Sequence, residues 1–423
     1  MRAQRCKGSR DLGPEDMERF RHIEDVFRSS CLSWGFREIR TPTLEYLHLF
    51  TSTGTLTPEM LSRTYSFLDW DGWSGERVVL RPDGTIPAAR LYIESLSDLR
   101  PAKLFYVENV FSFEDTGQQS RERWQCSAEI MGSAEPLADV ELMALCLEIL
   151  EKLGLREVKL HLSHAGMIKT LLSGVGLDPS EQGEVFGGLL DGDTGALTRV
   201  VEKRPELKDP LSMLLEVKGR GPGFLHNLKS TLGKTFPNPG LEACLDDFLT
   251  VAESLSDIGC PYAIDIASAR SFEYYTGVIF RCYYQDQKVA GGGRYGDLIP
   301  LLGGEEVSAS GFALRVDSLM DLVRGQQTKD TRVLVRKGTG DPGVDRSRFE
   351  MAGLLRRAGY VAEVDQGHGA CGTHEWTVIV GGTAETPEFL LMDRSGTRTA
   401  TAASPPEIIS ALQAADVPEA SSP

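Results

Sequence analysis

The apolar residues of the first third of the chain change their period several times. In "GPEDMERFRHIEDVFRSSCLSWGF", Met17, Phe20, Ile23, Phe27 and Cys31 recur at helical spacing. Pro14 stands at a first helical position with acids in the first turn, so the stretch is predicted to be an amphipathic helix. "REIRTPTLEYLHLF" reads as a short strand halted by Pro42. "ERVVLRPDGTIPAARLYIESL" reads as a strand, a turn at Pro82 to Gly84, and a helix. "KLFYVENVFSFE" and "RWQCSAEIMGS" are predicted to be two strands joined by the polar loop "DTGQQSRE". In "LADVELMALCLEILEKLGL", Leu142, Leu145, Ile149 and Leu153 share one helical face, which gives those strands a helix to pack against; "REVKLHLS" (156–163) then alternates as a strand.

Between about 165 and 257 the pattern becomes helical and irregular, with interruptions at "GRGPG" and "FPNPG", and reads as a helical insertion. Strands resume with "YAIDI", "YYTGVIFRCYY" and "QKVAGGGRYGDL", and "GFALRVDSLMDLV" is predicted to be a helix. The polar stretch "RGQQTKD" (324–330) is the expected linker, residues 331–415 alternate strand and helix as a small C-terminal α/β domain, and 416–423 are expected to be disordered. There are no internal repeats. Residues 1–325 are thus expected to form an α+β domain, an antiparallel sheet flanked by helices and carrying an insertion.

Composition narrows the function. Of 423 residues, 45 are Lys or Arg and 61 are Asp or Glu, a formal charge of −16. That is the wrong sign for a chain that grips nucleic acid by neutralising phosphates. The eight cysteines (6, 31, 126, 146, 244, 260, 282 and 371) include no C-x-x-C pair. The reading is reduced core thiols in a cytoplasmic protein, with no metal site and no cofactor. "MRAQRCKGSRDLGPEDM" lacks an apolar signal core, and no apolar run approaches the roughly 18 residues of a membrane span.

Four stretches place polar residues on strands or turns: "LRPDGT" with Asp83 and Thr85, "WQCSAEIMG" with Gln125 and Glu129, "ARSFEYY" with Arg270, Tyr274 and Tyr275, and a glycine-rich turn in "AGGGRYGDL". Taken singly, each has an ordinary structural explanation: a solvent-facing polar pair, a tight hairpin, or tyrosines of a sheet surface. Gln125 and Glu129 are an even number apart, so on a strand they face one side. Acids that meet an ammonium group and an arginine that meets a carboxylate through two hydrogen bonds outline a pocket for a zwitterionic amino acid.

In order and spacing, "RTPTLE", "LRPDGT", "FYVENVFSFED…RERWQCSAEIMG", "ARSFEYYTGVIF", "AGGGRYGDL" and "SGFALRVDSLMDLV" resemble the catalytic fold of the class II histidyl-tRNA synthetases over residues 8 to 325. The resemblance implies that Asp83, Thr85, Gln125, Glu129, Arg270, Tyr274 and Tyr275 bind histidine, and that the chain forms a homodimer through the motif around Pro42. Asp83 stands where the synthetases carry glutamate.

The departures are as informative as the matches. Where the synthetases hold ATP with one arginine in the second motif and another in the third, this chain has Ser112 and Ser318. Fixed cations are the main stabilisers of charge at the α-phosphate in amino-acid activation, so two serines there argue against catalysis. Arg315, three residues before Ser318 on a predicted helix and hence on nearly the same face, and the loop residues Arg121 and Arg123 are the candidate residual anion binders.

"RSFEYYTG" is similar to the synthetase-like regulatory subunits of ATP phosphoribosyltransferase, which do not charge tRNA. That resemblance implies no catalytic residues, a short-form catalytic subunit as partner in a hetero-octamer, and a role in histidine biosynthesis and its feedback control. Residues 331–423 carry 9 Lys or Arg against 12 Asp or Glu, an unfavourable balance for holding an RNA stem. The alternatives are an active histidyl-tRNA synthetase, with Arg315 and the loop arginines compensating, and another paralogous amino-acid sensor or transferase.

Overall fold

The computed structural model describes residues 4–52, 61–70, 75–113, 120–174, 218–235, 237–266, 275–324, 331–340, 342–367 and 374–415, with isolated positions between 174 and 218. Arg270, Tyr274, the middle of the expected insertion (nearly all of 175–217), nearly all of the expected linker and the expected tail lie outside the described residues. The chain divides into two compact units, Met1–Gln326 and Gln327–Pro423.

In the first unit the strands in chain order are β1 (Arg37–Glu38), β2 (Leu44–Tyr46), β3 (Ser66–Trp70), β4 (Gly75–Leu80), β5 (Ala102–Phe111), β6 (Glu122–Met131), β7 (Lys159–His164), β8 (Lys218–Gly219), β9 (Tyr262–Asp265), β10 (Val278–Tyr284), β11 (Gln287–Arg294) and β12 (Ala309–Arg315). Nine of them form one sheet in the order β1-β5-β6-β12-β11-β10-β7-β9-β8, while β2, β4 and β3 form a small separate sheet. The large sheet is antiparallel except where β1 joins β5 and β7 joins β9 in parallel.

The helix Pro14–Ser33 begins at the proline, whose missing N–H costs nothing at that position, and buries Phe20, Ile23, Phe27 and Cys31. Helix Pro136–Lys152 buries Leu142, Leu145 and Ile149. Both contribute to one continuous apolar core with the sheet. β10 and β11 are joined by Gln285 and Asp286, both with positive φ (49° and 63°), the two-residue turn whose twist matches that of paired strands.

Two expectations are corrected. "GFALRVDSLMDLV" is not one helix: residues up to Arg315 are strand β12, and the helix covers Val316–Leu322. The strand wins because Ala309 to Arg315 fill the gap between β6 and β11 and hydrogen-bond to both. "AGGGR" is not a turn either; its glycines lie inside β11. A side chain at Gly292 would collide with the Gly311 carbonyl oxygen on β12, so the run serves close strand approach rather than chain reversal.

Two buried polar networks tie the elements together. Arg81, just past β4, pairs with Glu108 of β5 at 2.6 Å, with both side chains almost wholly buried. Glu108 accepts from the Thr41 N–H at 2.6 Å, while Arg81 donates to the carbonyls of Thr41, Pro42 and Asn109. In the second network Arg294 of β11 reaches Asp139 and, at 2.8 Å, Asp247, whose partner oxygen lies 3.2 Å from His164 Nε2. Because His164 Nδ1 accepts from the Met167 N–H at 3.1 Å, it is Nε2 that carries the hydrogen and donates.

The second unit holds β13 (Arg332–Gly340), β14 (Val361–Val364), β15 (Trp376–Gly382), β16 (Pro387–Asp393) and β17 (Arg398–Ala402), ordered β14-β13-β15-β16-β17. β13 is parallel to β14 and β15, and the rest is antiparallel. Helices Asp345–Arg357 and Pro405–Ala415 complete a separate core that includes Met351, Leu355, Ile408 and Leu412. Among the described residues of either unit, no helix is long and apolar enough to cross a membrane.

Removing one member of the buried Arg81–Glu108 pair leaves an uncompensated charge, which typically costs about 3 to 5 kcal/mol. Arg81→Met is therefore expected to lower the unfolding free energy of the first unit, measured by denaturant titration, by about that amount, whereas Arg77→Met, at an exposed position, changes it little.

Candidate functional site

Glu129 sits near the C-terminal end of β6, opposite Leu104 of β5 and Gly311 of β12. A Cβ at Gly311 would fall inside the Glu129 carboxylate, so the bare backbone of β12 is what lets that side chain lie flat across the sheet. The carboxylate, 1% exposed, is surrounded by hydroxyls. Thr85 Oγ1 donates to Oε1 at 3.0 Å, Tyr106 O–H donates to the same oxygen at 2.9 Å, and Tyr295 O–H donates to Oε2.

No cation is among these partners. Burial holds the Glu129 carboxyl up to about 8, with the nearby Asp83 charge adding to the effect, against the opposing pull of the hydroxyl hydrogen bonds. Burial, reinforced by the charge of Glu129 and then of Asp83, raises the Tyr106 and Tyr275 hydroxyls in turn.

The other sequence-predicted residues approach from different elements. Asp83 and Thr85 are fixed by the turn after Arg81: Asp83 Oδ1 accepts from the Ile86 N–H at 3.0 Å, which caps the helix Thr85–Leu91. A Cβ at Gly84 would lie 2.6 Å from Tyr106 Cε2 and 3.1 Å from Gln125 Nε2, so Gly84 makes room for both side chains. Gln125 is half-buried on the same face of β6 as Glu129. Tyr275 is buried with its ring 6.5 Å from that of Tyr295. Asp83, Thr85, Gln125, Glu129 and Tyr275 thus gather on one side of the sheet, where the acids and hydroxyls form a region suited to a cationic or hydrogen-bond-donating group.

Tyr106 and Tyr295 were not among the sequence candidates. Tyr106 had a legible signal: it is an even step from Glu108 on a predicted strand. Tyr295 follows the glycine run directly, but only the pairing of β11 with β12 brings its hydroxyl to Glu129. Among the described residues no group of three or more His, Cys, Asp or Glu is placed to hold a metal ion.

The candidate anion binders separate. Arg121 stacks on Phe113, its guanidinium 4.6 Å from the ring centroid, and packs over Gly8. Arg123 is exposed on β6. Arg315 is not on the helix of Ser318: it ends β12 with φ −88° and ψ 88° and caps the helix from outside, so the shared-face argument for it fails. Ser112 follows β5 and its N–H donates to the Arg121 carbonyl at 3.0 Å, while Ser318 is half-buried in the following helix.

A family description for histidyl-tRNA synthetase matches residues 8–319. A protein of Dehalococcoides mccartyi named ATP phosphoribosyltransferase regulatory subunit is 48% identical over 379 residues, covering 89% of this chain and 91% of its own. A histidine–tRNA ligase of Archaeoglobus fulgidus is 31% identical over 374 residues, 86% of each chain. A crystal structure from Bacillus halodurans described as an ATP phosphoribosyltransferase regulatory subunit/histidyl-tRNA synthetase superposes with a TM-score of 0.74 at 25% identity, covering 87% of this chain and 94% of that one. The chain therefore belongs to the histidyl-tRNA synthetase family, in the branch whose members are named regulatory subunits of ATP phosphoribosyltransferase.

Proposed function

We propose that the chain is a regulatory subunit of ATP phosphoribosyltransferase, one that keeps the synthetase pocket to read an amino acid and does not activate it. The observation that carries this reading is the likeness to the regulatory subunits along nearly the whole chain, much greater than that to the ligases. Ser112 and Ser318 support it, because neither can supply the positive charge that adenylate formation requires. The proposed partner is the short-form catalytic subunit, in a hetero-octamer in which this chain forms a homodimer.

The proposed ligand is histidine. The acids and hydroxyls around Glu129 offer acceptors to its cationic groups, and Arg270 is assigned to its carboxylate. Regulation then follows as a population shift: contact with this chain favours the active arrangement of the catalytic subunit, and histidine favours a less active one by binding the two states unequally.

Three measurements test this. Short-form phosphoribosyltransferase assayed alone is expected to be nearly inactive, and adding this chain is expected to raise its rate at least tenfold; no increase would overturn the assignment. Calorimetry of the chain with histidine should show binding that Glu129→Gln and Arg270→Ala each weaken about tenfold, the scale of about 1.4 kcal/mol expected for a charged hydrogen bond. The third concerns pH. Glu129 holds its proton to about 8, well above the 4.5 of an ordinary glutamate, so between those values the folded chain carries a proton that the unfolded chain has lost. Stability of the ligand-free chain is expected to fall as pH rises through this window, and Glu129→Gln should flatten that part of the profile.

A further inference from the structure

Arg294 makes contacts on two sides. Its backbone carbonyl accepts the Thr276 N–H at 2.9 Å and the Gly277 N–H at 3.3 Å, and a Cβ at Gly277 would lie 3.0 Å from Arg294 Cβ and 3.1 Å from its Cδ. The Arg294 side chain therefore lies over the segment that leads from Tyr275 into β10. The next residue, Tyr295, is the one whose hydroxyl donates to Glu129 Oε2.

Its guanidinium reaches the helical insertion. Helix Ala165–Gly174 opens the expected insertion and helix Pro239–Asp257 closes it. Asp247, midway along the closing helix, accepts from Arg294 through Oδ1 at 2.8 Å. His164, the last residue before the opening helix, donates from Nε2 to Asp247 Oδ2 at 3.2 Å. The opening helix also grips the Tyr275–Gly277 segment: Lys169 Nζ donates to the Tyr275 carbonyl at 3.1 Å, and the Ala165 N–H to the Gly277 carbonyl at 2.9 Å. A Cβ at Gly166 would lie 2.6 Å from the Thr276 carbonyl oxygen and 3.2 Å from Cys244 Sγ, so bare backbone there lets both helices close on this segment. Burial alone would raise the Asp247 carboxyl; the His164 hydrogen bond, then the Arg294 charge, outweigh it and keep Asp247 ionised. The other carboxylate on Arg294, Asp139, is 2% exposed on a helix of the sheet's core. One guanidinium thus joins two carboxylates where charge balance needs one, and the insertion supplies the second.

We propose that Asp247 is a positioning residue for the pocket: from the closing helix of the insertion it holds Arg294, and with it Tyr295, where the Tyr295 hydroxyl reaches Glu129. This deepens the amino-acid reading given above and rests on Glu129 as the acceptor of that pocket. A displacement of the closing helix is then felt at Glu129, and by linkage a ligand that changes the charge of Glu129 acts back on that helix. Two opposing effects separate on substitution. Taking a carboxylate away from the neighbourhood favours the ionised form of Glu129 by charge alone, whereas losing the Tyr295 hydrogen bond favours the protonated form. Asp247→Asn does the first directly and the second through Arg294. An amide has one acceptor oxygen for the two donors that the carboxylate serves, while Asp139 remains to balance Arg294 and keep the variant folded.

The test follows the carboxylic-acid infrared band of Glu129, identified by its loss in Glu129→Gln, against pH in the full ligand-free chain. The titratable groups facing Glu129 are Asp83, Tyr106, Tyr275 and Tyr295, with Arg281 of β10 near Tyr275, and only Tyr295 among them is altered. The midpoint is about 8 in the unaltered chain. Tyr295→Phe is expected to raise it by about one pH unit, tenfold in proton affinity, and Asp247→Asn by about half a unit, threefold. Asp246→Asn, on the same helix but paired with Lys229 at the surface, should leave it unchanged. Adding Asp247→Asn to Tyr295→Phe should raise the midpoint no further, because both act on one hydrogen bond. A fall or no change in Asp247→Asn, even with lowered stability, would overturn the proposal, as would an equal rise in Asp246→Asn or a full further rise in the double variant. Asp247→Glu, which keeps the charge and moves it by one methylene, is read the same way where the asparagine variant does not fold. Calorimetry with histidine separates this proposal from the amino-acid reading: binding about threefold weaker in Asp247→Asn is expected. No binding by the unaltered chain would refute that reading, while the ligand-free midpoints still decide this one.

Discussion

A carboxylate that has lost nearly all its water dominates the candidate site. Glu129 lies on bare backbone at Gly311 and is held by three hydroxyls, from Thr85, Tyr106 and Tyr295. Hydroxyl donors cannot fully replace hydration of a charge, so the proton stays on at neutral pH until something more positive arrives. In the reading proposed above, this is the physical source of selectivity: an ammonium or imidazolium group is rewarded for displacing that proton, and an uncharged apolar group is not.

The hydroxyls come from three separate segments, so their convergence depends on how those segments are anchored. The Arg81–Glu108 pair fixes the end of β4 against β5, and two residues later the chain turns through Asp83 and Gly84 to present Thr85. Arg294, through Asp139 and Asp247, holds the end of β11 from which Tyr295 projects. In each case a buried ion pair next to the site does the positioning, while the described hydrogen-bond partners of Glu129 itself are hydroxyls. Such an arrangement suits recognition. In the proposed reading, Ser112 and Ser318 add no positive charge to it.

The proposed reading of an amino acid without activating it agrees with the family assignment. On that proposal the fold would serve as a module for reporting a metabolite to another enzyme, because a bound ligand can bias which of two arrangements is populated without being consumed.

Much of the architecture was written in local pattern. The helix from Pro14, the β5–β6 pair and the helix Pro136–Lys152 follow from apolar periodicity and from proline's fixed φ, which act over a few residues and need no partner to be read. The stretches holding Asp83, Thr85, Gln125 and Glu129 were legible for the same reason, as polar residues at even steps or beside a Pro-Asp-Gly turn. Tertiary structure decided the rest. "GFALRVDSL" carries a helix-like pattern but becomes strand as far as Arg315 because two neighbouring strands demand its hydrogen bonds, and the glycines of "AGGGR" serve close strand contact instead of a turn. The proton on Glu129, the approach of Tyr295 and the meeting of Asp247 with Arg294 depend on which elements lie side by side. Sequence separation says nothing about that neighbourhood, since desolvation and Coulomb interaction act through space between residues far apart along the chain.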